Sequence, residues 1–69
     1  MEIIKLKEDY IKLGQALKAA GLVESGVEAK FVIQDGLVLV NGKIEVQRGK
    51  KLIDGDLIEF DSHQIKIIK

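Results

Sequence analysis

Residues 25–42, Ser-Gly-Val-Glu-Ala-Lys-Phe-Val-Ile-Gln-Asp-Gly-Leu-Val-Leu-Val-Asn-Gly, constrain the fold more than any other stretch. They read as a helix, a stop, a strand and a hairpin turn. Ser25 is suited to an N-cap, because its side-chain oxygen can accept from a free backbone N–H of the first turn. Glu28, three residues later, completes a capping box by reaching back to the N–H of the cap. Ala29, Val32 and Ile33 fall at i, i+3 and i+4, one face of a helix. Gly36 stands where a left-handed residue is wanted after the last turn, and it lacks the Cβ that makes this conformation costly. Leu37 to Val40 is an apolar, partly β-branched run, and Asn41-Gly42 is the strongest short hairpin signal. A two-residue turn there pairs Val40 with Lys43, Leu39 with Ile44, Val38 with Glu45 and Leu37 with Val46. Cross-strand partners share a face. Leu37, Leu39, Ile44 and Val46 are therefore expected to meet the helices, with Val38 and Val40 half exposed beside Lys43 and Glu45.

The flanking segments extend this unit. Glu2 to Leu6 reads as a short strand, followed by a polar connection at Lys7-Glu8-Asp9. From Ile11 the spacing turns helical, with Leu13, Ala16, Leu17 and Ala20 on one face and Lys12, Gln15 and Lys18 on the solvated one. Gly21 ends that helix, and the short connection to Ser25 demands an αα corner. On the second helix Phe31 is expected to reach the core from the flank. Gln47 to Lys51 is a basic connection and Leu52-Ile53 is apolar again. Asp54-Gly55 is a second turn signal. Leu57 to Phe60 and Gln64 to Ile68 are strands separated by a turn at Asp61-Ser62-His63. The order is β-α-α-β-β-β-β. It implies an α+β fold with a two-helix corner packed on one face of a small, mainly antiparallel sheet.

Sixty-nine residues are expected to form one domain with a small core. The chain has no cysteine, which removes disulfides and thiolate metal sites. Its apolar runs are too short to span a bilayer as a helix, and the N-terminus has no signal-peptide pattern, so a soluble cytoplasmic protein and a monomer are expected. Catalysis finds little support. His63 is the single histidine and lies in a turn, without a nucleophile elbow nearby. Asp54, Asp56, Glu59 and Asp61 do not follow a calcium-loop pattern, and the glycines form no phosphate loop. No enzyme activity, cofactor or metal is therefore expected. Net charge is zero, but charge is sorted: Lys43, Arg48, Lys50 and Lys51 lie in one block and the four acids in the next. Such a block is either a solvated loop or a basic edge for a polyanion.

At this point the chain resembles a known family. Lys12-Leu13-Gly14, the capped helix with Ala29 and Phe31-Val32-Ile33, Gly36, Val38-Leu39-Val40-Asn41-Gly42, Gly49 and Gly55-Asp56-Leu57-Ile58-Glu59 occur in the order seen in the RNA-binding domain named after ribosomal small-subunit protein four, the alpha-L motif. Ser25 to Lys30 and Arg48 to Leu52 are similar to segments of the small stand-alone bacterial members of YaaA/YbcJ type. The resemblance covers about residues 10–60. It implies binding of structured RNA, ribosomal RNA or a ribosome-assembly particle, through a basic surface. Carried over position by position, the implied contacts are Lys12, Ser25, Lys30 and Gln34 on the helices, Asn41 and Lys43 at the hairpin, and Arg48, Lys50 and Lys51 on the basic loop. Lysines on a rigid frame suit RNA that is read by shape, phosphate and 2′-OH. Lys12 and Gly26 stand where the family often has arginine, Val27 replaces a common glycine, and Gln47 replaces an arginine beside Arg48. These departures imply modest, salt-sensitive affinity. Two other classes compete with this one. A protein-docking module on ribosomal or assembly proteins would use Val38, Val40 and the charged blocks. A ubiquitin-like sulfur carrier would need a C-terminal Gly-Gly, whereas this sequence reads Ile67-Ile68-Lys69.

Overall fold

A computed structural model describes all residues, 1–69. The chain runs through β1 (Glu2–Lys5), β2 (Ile11–Lys12), α1 (Leu13–Ala19), α2 (Gly26–Gln34), β3 (Val38–Val40), β4 (Lys43–Ile44), β5 (Lys51–Leu52), β6 (Leu57–Phe60) and β7 (His63–Ile68). Five strands form one mixed sheet in the order β1-β7-β6-β3-β4, in which only the β1–β7 pair is parallel. Both helices lie against one face of it. The expected α+β architecture is present, with one addition: Ile11–Lys12 is extended rather than helical and pairs with Lys51–Leu52 in a separate two-stranded ladder.

Local chemistry sets the helix ends. Ser25 Oγ accepts from Glu28 N–H at 3.1 Å, as the cap requires. The glutamate does not close the box onto Ser25. Its carboxylate accepts instead from Glu24 N–H, one residue upstream, at 2.7 Å. After α2, Gly36 at φ +77° lets Leu37 N–H reach the Val32 carbonyl and Gly36 N–H the Ile33 carbonyl, the paired bonds of a Schellman ending. The hairpin turn carries Asn41 at φ 53° and Gly42 at φ 82°, with Leu39 opposite Ile44 and Val40 opposite Lys43 as the two-residue loop dictates.

The core contains thirteen buried apolar residues. Leu13, Ala16 and Leu17 of α1, Ala29 and Ile33 of α2, and Leu52 of β5 pack on Val38, Val40, Ile58, Ile65 and Ile67 of the sheet. The hairpin face is thus reversed from the one expected. Val38 and Val40 are buried, while Leu37, Ile44 and Val46 are exposed. The two pairs next to the turn are as read, whereas β4 ends at Ile44 and the expected Val38–Glu45 and Leu37–Val46 pairs do not form part of the ladder. Both faces of β3 are apolar, so alternation alone could not decide which faces inward. Val38 and Val40 sit opposite Phe60 and Ile58 of β6, and that shared face is the one the helices cover. Phe31 also departs from expectation. It stays 59% exposed, one turn from the equally exposed Val27, because Ala29 and Ile33 already occupy the inward face of α2. No helix is long and apolar enough to cross a membrane.

Candidate nucleic-acid interface

The first amides of an α-helix have no partner within the helix. In α1 two of them are satisfied by the basic loop. Leu13 N–H donates to the Lys50 carbonyl at 2.8 Å and Gly14 N–H to the Arg48 carbonyl at 3.0 Å. The β2–β5 ladder continues this contact, with Lys12 opposite Lys51 and Ile11 opposite Leu52. Residues 48–52 are therefore held to the start of α1 by backbone bonds, with Leu52 buried in the core and the side chains of Arg48, Lys50 and Lys51 exposed. Gly14 permits the approach. A Cβ at this position would lie 2.7 Å from Arg48 Cγ, closer than side chains tolerate.

This docking creates a cleft of about 360 Å³ lined by Lys12, Gly14, Gln15, Lys18, Gly26, Arg48 and Gly49. It contains three cations, one amide and three glycines, with neither an acid nor an apolar side chain. None of the cations is neutralised, since the one ion pair in the protein joins Lys69 to Asp9. Like charges directly opposite on paired strands repel, and Lys12 faces Lys51 in this way. Three glycines let a ligand approach the backbone closely. Gly26 opens α2, so the N-terminal end of that helix also borders the cleft. A polyanion with separated charges fits this lining.

Comparison with known proteins agrees with the geometry. The sequence profile of the S4 domain matches residues 4–68. The chain belongs to the S4 domain family. YbcJ of Escherichia coli strain K12 is 32% identical over 62 residues, covering 90% of this chain and 89% of that protein. RlbA of Bacillus subtilis strain 168, which bears the name probable ribosome maturation protein, is 40% identical over 58 residues, covering 84% of this chain and 82% of its own. The solution structure of E. coli YbcJ, described as revealing an alpha-L motif involved in RNA binding, superposes with a TM-score of 0.76 at 31% identity, over all of this chain and 89% of the other. The two-helix corner on a mostly antiparallel sheet is the architecture of that motif.

Within this S4 domain the implied contact residues do not gather at one point. Lys12 and Arg48 share the cleft, and Ser25 lies next to it as the cap of α2. Its hydroxyl already accepts from Glu28 N–H. Lys30 and Gln34 are exposed on α2, Lys43 on β4, and Lys50 and Lys51 on the basic loop, all outside the cleft lining. Asn41 has its carboxamide engaged by the fold: Oδ1 accepts from Leu57 N–H and Nδ2 donates to Asp56, each at 2.9 Å. Two of the acids are likewise in structural use. Asp56 also accepts from Ile53 N–H at 2.8 Å, and Asp54 accepts from Lys69 N–H at 2.9 Å. Gln15 and Lys18 enter the cleft although their spacing reads only as a solvated rim. Gln15 and Lys18 are neighbours one turn apart on α1, next to Lys12 at its N-cap, and the signal becomes informative only once the basic loop is docked there. Val38 and Val40, the surface a protein-docking module would have used, are buried.

Proposed function

We propose that this S4 domain is a non-enzymatic RNA-binding protein. Its ligand is structured RNA, either ribosomal RNA or a ribosome-assembly particle, and it acts in the cytoplasm as a monomeric single domain. The cleft between the start of α1 and the basic loop carries the reading. Its lining is cationic and polar throughout, and its three cations lack acidic partners. Lys12, Lys18 and Arg48 take phosphates, and Gln15 supplies a neutral donor and acceptor. Lys50 and Lys51 on the same loop, Lys43, and Lys30 and Gln34 of α2 extend the surface that RNA passes over, with the α2 N-terminus at Ser25 favouring a phosphate beside the cleft. Asn41 serves the hairpin and contributes to binding only through it. The names and motif borne by YbcJ and RlbA support the RNA and ribosomal parts of the reading.

The test is a fluorescence-anisotropy titration with end-labelled ribosomal RNA fragments over a range of salt. The three cations of the cleft alone predict a slope of log affinity against log salt of about −2 to −3, and the flanking lysines make it steeper. Arg48→Ala should weaken binding to all fragments alike and make the slope shallower by about one. Arg48→Lys should restore the charge but not the bidentate grip. No binding at low salt, or binding indifferent to salt and to Arg48→Ala, overturns the proposal.

A further inference from the structure

We infer that the groove beside Tyr10 takes an unpaired RNA base, stacked on the Tyr10 ring, from the strand whose phosphate sits in the adjoining cleft. This rests on the RNA-binding reading and adds a base-recognising position to it. The groove measures about 420 Å³ and lies between the β1–β2 connection and α1. Ile4, Leu6 and Ile11 give it an apolar wall with the tyrosine ring, while Lys5, Lys7, Glu8 and Gln15 stand at its polar side, two cations against one acid. An apolar slot with a few polar groups suits a flat heterocycle, whereas the cleft next to it suits only charge.

The two sites adjoin. Gln15 lines both of them. Its carbonyl receives only a long bond of 3.4 Å from Lys12 N–H, which leaves its NH₂ for the edge of a base. A second link runs through the ladder: Lys12 lines the cleft, Lys51 faces it across β2–β5, and the Lys51 ammonium lies 4.7 Å from the centre of the Tyr10 ring. The cation orients the ring. Tyr10 nevertheless remains 41% exposed, although its neighbours Leu6, Ile11 and Leu13 pack on or in the core. Sequence-specific RNA recognition acts mainly on unstacked bases that rest on aromatic rings and are bonded along their edges. The groove brings together a ring, a free amide and a nearby cation. Of the other aromatics, Phe60 packs on the core, and the exposed Phe31 lines neither cleft nor groove.

The chain has one tyrosine and no tryptophan, so its intrinsic emission reports on Tyr10 alone. The experiment titrates the protein with end-labelled ribosomal RNA fragments at low salt. It follows anisotropy and tyrosine emission together, correcting RNA absorption against free tyrosinamide. Emission should be quenched in step with binding. Tyr10→Phe should keep its affinity within about twofold, and Tyr10→Ala should lose roughly tenfold. The loss should be larger for fragments with single-stranded loops than for plain duplex. Binding with unchanged emission, or a folded Tyr10→Ala that binds as well as the unaltered protein, overturns the stacking site and leaves RNA binding standing. If Tyr10→Ala does not fold, the emission of the unaltered protein decides. No binding by that protein at all overturns both readings.

Discussion

Asn41 combines two demands that a sequence cannot separate. It occupies the left-handed region at φ 53°, and its side chain bonds Asp56 and the Leu57 N–H, tying the β3–β4 turn to the start of β6. Asparagine tolerates this backbone better than most residues because its short polar side chain bonds locally. Asn41→Ala removes both hydrogen bonds and puts a Cβ-bearing residue without compensation in that conformation. It should lower stability by about 2–3 kcal/mol in urea unfolding, from roughly 1 kcal/mol per bond and a similar backbone term. Asn41→Gly retains the backbone freedom and should lose only about 1–2 kcal/mol. The RNA affinity of either variant, measured where it is folded, should match the parent. The turn itself was legible in Asn-Gly. The partnership with Asp56 was not, because the two residues are fifteen positions apart and meet only after β6 pairs with β3.

At the scale of elements, helix ends and hairpin register follow from short-range rules, while the choice of buried face does not. Gly36 illustrates the first. A Cβ there would meet only Ile44 Cγ2 at 3.7 Å, an ordinary contact, so a side chain fits and the backbone alone objects. Gly36→Ala should therefore cost about 1–2 kcal/mol from the positive φ. That corresponds to a fall in Tm of roughly 4–16 °C for a domain this small, measured by thermal unfolding. The hairpin illustrates the second. Leu37, Leu39, Ile44 and Val46 formed the more bulky apolar set, yet Val38 and Val40 went inward, where Phe60 and Ile58 of β6 lie beside them. A period of two sorts residues into faces but cannot say which is covered when both are apolar. Phe31 shows the same limit: the helical period puts it on a flank, and the packing of Ala29 and Ile33 leaves that flank in solvent.

Across the whole molecule, charge is partitioned rather than cancelled locally. The basic loop, α1 and β2 make one cationic region, and the single ion pair lies elsewhere, joining Asp9 to Lys69 over a separation of sixty residues. The hydrogen bond from the Lys69 ammonium, and then its charge, hold the Asp9 carboxyl below the ordinary value of 3.8. The same bond and the charge of Asp9, with a smaller contribution from Asp54, hold Lys69 above 10.5. A carboxyl with a lowered folded value stabilises the fold above its unfolded value, and that contribution is lost as pH falls through the folded one. The contribution of the lysine is present below 10.5 and is lost as pH rises through its raised value. Asp9→Asn should thus lower the urea midpoint slightly at neutral pH and not at all well below pH 3.8. Both side chains are exposed to solvent, so high salt should reduce the neutral-pH difference.

Local sequence was enough for the α+β class, the Ser25 cap of α2, the glycine stops of both helices, the two-residue hairpin turn with its two nearest pairs, and the segments that carry the family resemblance. Each depends on contacts within a few residues or on a repeating period, and such information is written locally. Tertiary structure alone decided the rest. It drew Ile11–Lys12 out of the helical pattern, because pairing with Lys51–Leu52 satisfied backbone groups that a longer α1 would have placed elsewhere. It turned the valines of β3 inward, and it converted Lys12, Gln15, Lys18 and Arg48 from scattered surface residues into one cleft. A site of that kind exists only when the orphan amides of α1 take their bonds from the carbonyls of a loop more than thirty residues downstream. Neither composition nor periodicity records a contact at that separation.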